Sequence, residues 1–148
     1  MTINDFLQWK DEYSVGIDEV DNQHKELMEM IKSLLKICMV DSKTKLESFS
    51  KLAAKAIERF VEHFGTEEKL MVESGYPKYD EHKARHDKLL VDVKEMMEKI
   101  PEEDADEKLM NIVIFIREWF VETVHGSDKE MGMYLKGIRE QGTRGQGD

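Results

Sequence analysis

The chain has 148 residues, 40% of them hydrophobic and 36% charged, and a formal net charge of −10 at pH 7. This length suits one domain with a substantial buried core, and the acidic charge argues against nucleic-acid binding because no basic stripe is present to neutralise phosphates. No apolar run approaches the roughly 20 residues of a membrane span, the N-terminus lacks the features of a secretory signal, and the single Cys38 excludes an internal disulfide. We therefore expect a cytoplasmic protein that contacts neither nucleic acid nor membrane.

The chain opens with an arm, residues 1–17, that lacks helical periodicity but is rich in apolar side chains, namely Phe6, Leu7, Trp9, Tyr13, Val15 and Ile17. We therefore expect this arm to be ordered against the rest of the molecule. Amphipathic patterns then predict helices at Asp18–Val40, Thr44–Glu73, Tyr79–Ile100 and from Ala105 onward, with a shorter segment at Asp128–Ile138. Ser74–Pro77 is a strong stop signal after the second helix, and Pro101–Asp104 is predicted to form a turn.

Four long helices with short links predict an all-α fold, an antiparallel up-down-up-down four-helix bundle with an ordered N-terminal arm and a short C-terminal helix. We assign the bundle domain to residues 1–138. Residues 139–148 are polar and rich in glycine, and we predict that they form a flexible tail.

Histidines and carboxylates recur on these helices at informative spacings. His63 and Glu67 are four residues apart, as are His82 and His86, so each pair projects from one helix face. His24 falls among the apolar positions of the first helix, and Asp128 lies near the end of the fourth helical stretch. The four stretches therefore direct imidazole or carboxylate groups towards one interior volume.

Taken singly, each of these residues has an ordinary structural explanation. A lone histidine on an apolar face is commonly a satisfied core residue, and an isolated glutamate, such as Glu68, is a solvated helix charge. Burying the whole set without partners would cost several kcal/mol, on the order of the desolvation of each polar group. A metal removes that cost by taking imidazole lone pairs and carboxylate charge together, and this donor set suits iron above all. We predict a two-metal site with the ligands His24, His63, Glu67, His82, His86 and Asp128.

Several segments closely resemble the hemerythrin family, specifically bacteriohemerythrins. They are Asp21–His24, His63–Met71, Gly75–Pro77 and His82–His86, together with Trp9–Ile17, which is similar to that family's N-terminal arm. The resemblance covers roughly residues 6–138 and implies two non-heme irons (Fe2+/Fe3+) that share a bridging oxo or hydroxo oxygen. By this resemblance, His24 and His63 hold one iron, His82 and His86 hold the other, and Glu67 and Asp128 bridge them.

The fourth helix departs from the family pattern, which expects a histidine five residues before the bridging aspartate. Alignment on Trp119 places Thr123 at the histidine position and Asp128 at the position of the bridging aspartate. An alternative register uses His125 as the ligand and Glu130 as the bridge, but it rotates Trp119 out of its inward place. We favour the Thr123 register, although local unwinding at Gly126 would bring His125 inward. With Thr123 in the histidine position, we predict weaker iron binding beside His82 and His86.

The resemblance implies a non-heme diiron protein whose partner is molecular oxygen, acting in O2 carriage, storage or delivery. An enzyme-like diiron protein, namely a peroxidase, a ferroxidase or an oxidant scavenger, is the alternative, and an O2- or iron-sensing module is a third possibility. We expect an oxygen-binding protein in preference to an enzyme, and the sequence identifies no protein partner.

Overall fold

The structure is a computed structural model that describes residues 2–101 and 103–146, with side chains described up to residue 141. Within these ranges the chain is all-helical and contains no strand. The helices are α1 (Ile3–Phe6), α2 (Asp18–Met39), α3 (Lys45–Ser74), α4 (Tyr79–Glu98), α5 (Asp106–Thr123) and α6 (Lys129–Gln146). A 3-10 turn occupies Asp11–Tyr13, and a π-helical turn, Val124–Asp128, joins α5 to α6.

Helices α2, α3, α4 and α5 pack into a bundle around one apolar core. Helix α2 contacts α3 and α5, and α4 likewise contacts α3 and α5, so the four surround a common interior. Apolar residues at helical spacing supply this core, because a stripe three to four residues apart faces the neighbouring helices. Its largest fully buried members are Ile17, Leu27, Met28, Ile31, Leu34, Leu35, Phe49, Met71, Leu109, Ile112, Phe120 and Met131.

Helix α3 ends where the stop signal predicts. Gly75 adopts the left-handed conformation with φ of 67°, and the Tyr76 N–H donates to the Met71 carbonyl. This is the ordinary use of a glycine at a helix C-terminus, since it avoids the Cβ strain of positive φ. The sharp turn lets α4 begin at Tyr79, four residues later along the chain than Gly75, and brings the His82–His86 face back towards α3.

The N-terminal arm is ordered, as expected, but it contains the short helix α1 and the 3-10 turn. A Thr2–Asp5 capping box starts α1, a local signal that helical periodicity does not detect in four residues. Asp21 of α2 anchors the end of the arm, because its carboxylate accepts hydrogen bonds from the Val15 N–H at 2.8 Å and from the Ser14 hydroxyl at 2.5 Å. The arm therefore packs on the same end of α2 that carries His24.

Helix α6 lies close to the arm and to the end of α3. A Cβ placed on Gly132 would lie 2.1 Å from the Val15 carbonyl oxygen, so only glycine permits this approach. The Tyr134 hydroxyl donates to the Ser74 carbonyl at 3.0 Å. Helix α6 continues to Gln146, beyond the end expected at Ile138. Glu102, within the predicted turn, and the last two residues of the predicted tail lie outside the described residues.

Across the described parts of the chain, no helix is both long and apolar enough to span a lipid bilayer.

Candidate metal centre

The six residues predicted as ligands converge in the bundle interior. His24 comes from α2, His63 and Glu67 from α3, His82 and His86 from α4, and Asp128 from the last position of the π turn. Each is buried, with at most 3% of its surface exposed. The i, i+4 spacing accounts for two of these pairings, because residues four apart share a helix face. The packing of α2 and α4 against α3 brings in His24 and the His82–His86 pair, and the π turn at the end of α5 brings in Asp128.

Two groups of four donors can be distinguished within this cluster. The first comprises His24, His63, Glu67 and Asp128, and one ligand atom from each lies within 4.8 Å of the others. The His63 Nε2 lies 2.5 Å from Glu67 Oε2, and the His24 Nε2 lies 3.3 Å from the same oxygen. The His24 Nε2 also lies 3.2 Å from Asp128 Oδ2.

The second group comprises His82, His86, Glu67 and Asp128, again with ligand atoms within 4.8 Å of one another. The Nε2 atoms of His82 and His86 lie 2.9 and 3.1 Å from Glu67 Oε1. The His82 Nε2 also lies 3.0 Å from Asp128 Oδ1. Each group therefore offers two imidazoles and one oxygen from each of two carboxylates.

The two carboxylates divide their oxygens between the groups. Glu67 presents Oε2 to His24 and His63 and Oε1 to His82 and His86. Asp128 presents Oδ2 to His24 and Oδ1 to His82. A carboxylate with one oxygen towards each of two donor groups can bridge two cations, so the arrangement suits a pair of metals that share Glu67 and Asp128.

Several polar atoms of the cluster lack the hydrogen-bond partners that burial demands. They include His24 Nε2, Glu67 Oε2 and Asp128 Oδ1, none of which has a well-formed hydrogen bond with any residue in the described ranges. An unsatisfied buried polar group costs about 1–3 kcal/mol, so natural proteins rarely tolerate several together. Metal ions would use these same lone pairs, and the donor set therefore fits cation binding.

The electrostatics of the metal-free cluster follow from its burial and its mixed charges. Burial alone would lower the pKa of His24, but the carboxylates of Asp128 and Glu67 outweigh it and raise the pKa to about 9. The pKa of His82 is likewise raised to about 9, because the same two carboxylates outweigh the effect of burial. Burial would raise the pKa of Glu67, but the imidazoles of His63, His24 and His82 hold it well below its usual range. The ionised carboxyl is thus the form available to a cation.

Two outer contacts fix the orientation of ligand histidines. The Nδ1 of His63 lies 2.8 Å from Gln23 Oε1, and the Nδ1 of His86 lies 3.0 Å from Glu68 Oε2. An acceptor at Nδ1 keeps the proton there and leaves the Nε2 lone pair for a metal. The interpretation of Glu68 as a solvated charge is therefore wrong. Its position next to Glu67 was visible in the sequence, but its reach to α4 depends on how the helices pack.

The π turn explains how the end of α5 reaches the cluster. In a regular α-helix, residues five apart lie roughly 140° apart around the axis, whereas a π turn closes between residues i and i+5 and brings them to nearly one face. Thr123 and Asp128 are five apart and flank this turn, and both are buried. Phe120, one turn before Thr123, packs its ring 5.6 Å from that of His24. Thr123 therefore lies on the inward face of α5.

The alternative register does not describe the structure. His125 is exposed, its Nδ1 lies 2.9 Å from the Val121 carbonyl, and its ring packs 4.8 Å from that of Tyr13. Glu130 is exposed as well and pairs with Lys78. Neither side chain joins the cluster. Of the two candidates for the histidine position, Thr123 is buried and His125 is not.

Aromatic side chains close the cluster on its α3 and α5 sides. The ring of Phe64 stacks on His86 at 3.8 Å, and Trp119 packs edgewise on Phe64 with ring centres 5.7 Å apart. These contacts limit the motion of His86 and keep water from that side. Phe64 and Trp119 therefore form an aromatic wall beside the cluster.

Comparison with known proteins supports the same interpretation. The hemerythrin HHE cation binding domain matches residues 15–135. A bacteriohemerythrin of Clostridium acetobutylicum is 28% identical over 125 residues, covering 82% of this chain and 95% of that protein. A bacteriohemerythrin of Stenotrophomonas maltophilia is 26% identical over 139 residues, covering 93% and 87%. A myohemerythrin of Theromyzon tessulatum is 30% identical over 121 residues, covering 82% and 87%.

The matched region includes the whole cluster, from His24 on α2 to Asp128 at the end of the π turn. The helical bundle, the six converging donors and the similarity across most of the chain agree with one another. The chain belongs to the hemerythrin family.

Proposed function

We propose that this protein is a non-heme diiron protein that binds O2 reversibly and serves in oxygen carriage, storage or delivery. The observation that carries the proposal is the division of the Glu67 and Asp128 oxygens between two pairs of histidines. A single-metal site would not need two carboxylates with this orientation. Family membership supports iron as the metal.

The proposed ligand assignment follows the two donor groups. His24 and His63 would hold one iron, His82 and His86 would hold the other, and the two carboxylates of Glu67 and Asp128 would be shared between them. We also propose that α2, α3, α4 and α5 run in antiparallel up-down-up-down order, because the segments that connect them are short and each helix packs against its neighbours.

Two irons bound here would supply the redox chemistry that reversible O2 binding requires. The chain's own residues prepare the site for it. Gln23 and Glu68 orient His63 and His86 through their Nδ1 atoms, and the stacked Phe64 holds the His86 ring in place. Burial of all six donors excludes bulk water, which favours a bound small molecule over hydrolytic side reactions.

Absorption spectroscopy on the iron-loaded chain tests this function. Reversible O2 binding predicts a visible absorption band that appears when O2 is admitted to the reduced protein and disappears when O2 is removed. Glu67→Ala should abolish the band because both irons lose a ligand. Glu73→Ala, at an exposed position on the same helix, should leave the band unchanged. A reduced, iron-loaded protein that shows no such band would contradict the proposal.

The enzyme-like alternative is favoured by one observation, namely that Thr123 stands where the family pattern has a histidine. An iron with fewer protein ligands has an open coordination position, which favours peroxide or oxidase chemistry over reversible O2 binding. Sustained turnover with peroxide, or rapid oxidation without a stable O2 band, would support this alternative. A band that persists through several cycles of O2 addition and removal would contradict it.

A further inference from the structure

Thr123 contributes a buried hydroxyl that the rest of the protein does not use. Only 1% of the residue is exposed, and its Oγ1 has no hydrogen-bond partner anywhere in the described part of the chain. A buried hydroxyl without a partner is destabilising. Such a group in a folded protein calls for an explanation, and a bound ligand is one of the recognised ones.

Other helical hydroxyls of this protein show what Thr123 could have done instead. The Thr66 hydroxyl donates to the Glu62 carbonyl at 3.2 Å, and the Ser33 hydroxyl donates to the Glu29 carbonyl at 2.9 Å. This contact with the carbonyl four residues earlier is the usual one for a threonine or serine within a helix. Thr123 makes no such contact within the described ranges, so its hydroxyl is turned away from its own helix.

The position of Thr123 identifies what it faces. Phe120, one turn earlier, packs against His24, and Asp128, on the far side of the π turn, reaches both His24 and His82. Thr123 therefore shares the inward face that presents Asp128 to the two donor groups. Its side chain is several heavy atoms smaller than the histidine that the family pattern has at this position, so it would leave space for a small ligand beside the metal that His82 and His86 are proposed to hold.

We infer that Thr123 is a ligand-binding residue whose hydroxyl donates a hydrogen bond to a small exogenous molecule bound to that metal. The inference rests on the proposed diiron function and deepens it. The ligand class is a molecule of two or three heavy atoms with a lone-pair acceptor, such as O2 or a small anion. Burial strengthens this hydrogen bond, because with only 1% of Thr123 exposed little water can compete for the hydroxyl.

Azide binding to the iron-loaded full chain tests the inference, since azide is a three-atom anion with acceptor lone pairs whose binding can be followed by absorption. Thr123→Val keeps the shape and removes the hydroxyl, and it should weaken azide binding by about tenfold, the effect of one net hydrogen bond. Thr123→Ser keeps the hydroxyl and should retain affinity close to that of the parent protein. Ser33→Ala, which removes a hydroxyl bonded to its own helix, is the matched control and should have no effect.

Thermal unfolding of the metal-free variants supplies a second measurement. Thr123→Val should raise the melting temperature, because it removes a buried hydroxyl that lacks a partner, while it weakens azide binding. Equal azide affinity in the iron-loaded parent, Thr123→Val and Thr123→Ser proteins would overturn this inference and leave the proposed function standing. A parent chain that takes up no iron would contradict the proposed function and this inference together.

Discussion

The orientation of a donor in the cluster depends on the groups around it, and Glu68 is such a group for His86. Its carboxylate accepts from the Nδ1 of His86 and lies 3.9 Å from the Lys83 ammonium. The contact holds the imidazole in the tautomer that directs Nε2 towards the metal. Glu68, which the sequence suggests is a surface charge, therefore orients the imidazole of His86.

Glu68→Ala should lower the affinity for the metal at the His82–His86 position by about 10–100-fold, the usual effect of losing an outer partner of a ligand histidine. Glu68→Gln should lose less, because the amide oxygen still accepts from Nδ1. Zinc titration of the full chain, competed with a chelator, measures the two affinities. Unchanged affinity in Glu68→Ala would show that this contact does not orient the ligand.

Thr123→His tests the departure from the family pattern directly. A histidine at this position adds an imidazole donor beside His82 and His86. The affinity for the metal that these two residues are proposed to hold should therefore rise by at least tenfold, and the exchange of that metal with solution should slow. Iron titration of the metal-free parent and variant, followed by the rate of iron loss to a chelator, gives both quantities. Equal affinities and equal rates would mean that position 123 does not face the metal.

Metal uptake should release protons at neutral pH. The pKa values of His24 and His82 are raised to about 9 in the metal-free protein, so both imidazoles are protonated at pH 7. Each must lose its proton to bind a metal, and loading at pH 7 should release about two protons per chain from these two residues. Above pH 10 the same residues are already neutral and their release should vanish.

Calorimetric titration in two buffers of different ionisation enthalpy measures this proton count. A release at pH 7 that is no larger than the release at pH 10 would contradict the assignment of His24 and His82 as ligands that are charged in the metal-free state.

At the scale of the elements, the π turn and the arm together set the position of Asp128. Helix α6 starts directly after Asp128 and is held against the arm by the close approach of Gly132 to the Val15 carbonyl. The arm in turn is fixed to α2 by Asp21. A disturbance at Gly132 should therefore reach the cluster through α6.

Gly132→Ala should lower the free energy of unfolding by about 1–3 kcal/mol, as overpacking against rigid backbone commonly does, and it should weaken metal binding as α6 shifts. Gly137→Ala is the matched control on the same helix, because no atom in the described chain lies within 4 Å of a Cβ built there. That variant should be neutral or more stable, since alanine is the better helix former. Urea unfolding of both proteins checks the difference, and equal stability would argue against the tight packing of α6 on the arm.

The sequence predicted the long helices to within two residues at most of their ends, because apolar stripes and the glycine and proline signals act locally. Ser74–Pro77, for instance, correctly marked the end of α3. Helix α1 escaped detection, since its capping box involves only a few residues. The length of α6 was underestimated because its polar, glycine-rich end gives a weak helical signal.

The convergence of the six predicted donors was inferable because four of them occur as i, i+4 pairs on apolar helix faces. The contacts of Gln23 with His63 and of Glu68 with His86 were not inferable, since they join different helices. The π turn also needed coordinates. Its i to i+5 period is what lets Thr123 and Asp128 face the interior together, since a regular helix would place them roughly 140° apart.

In the whole molecule, the cluster lies where α2, α3, α4 and α5 meet. The first three contribute donors directly, and α5 does so through the π turn that follows it. Six buried polar or charged groups weaken a hydrophobic interior unless a partner satisfies them. Metal binding should therefore join the helices and stabilise the fold, because a ligand that binds only the native state shifts the folding equilibrium. We propose that this partner is a pair of metals that share Glu67 and Asp128.

The most direct test is the metal-to-chain ratio of the purified full-length protein and of Glu67→Ala. We expect two irons per chain in the parent protein, bound cooperatively with a clear rise in melting temperature. Glu67→Ala should lose both irons, because each shares that carboxylate. A ratio of one iron per chain, or a Glu67→Ala protein that keeps either iron at parental affinity, would contradict the bridged pair.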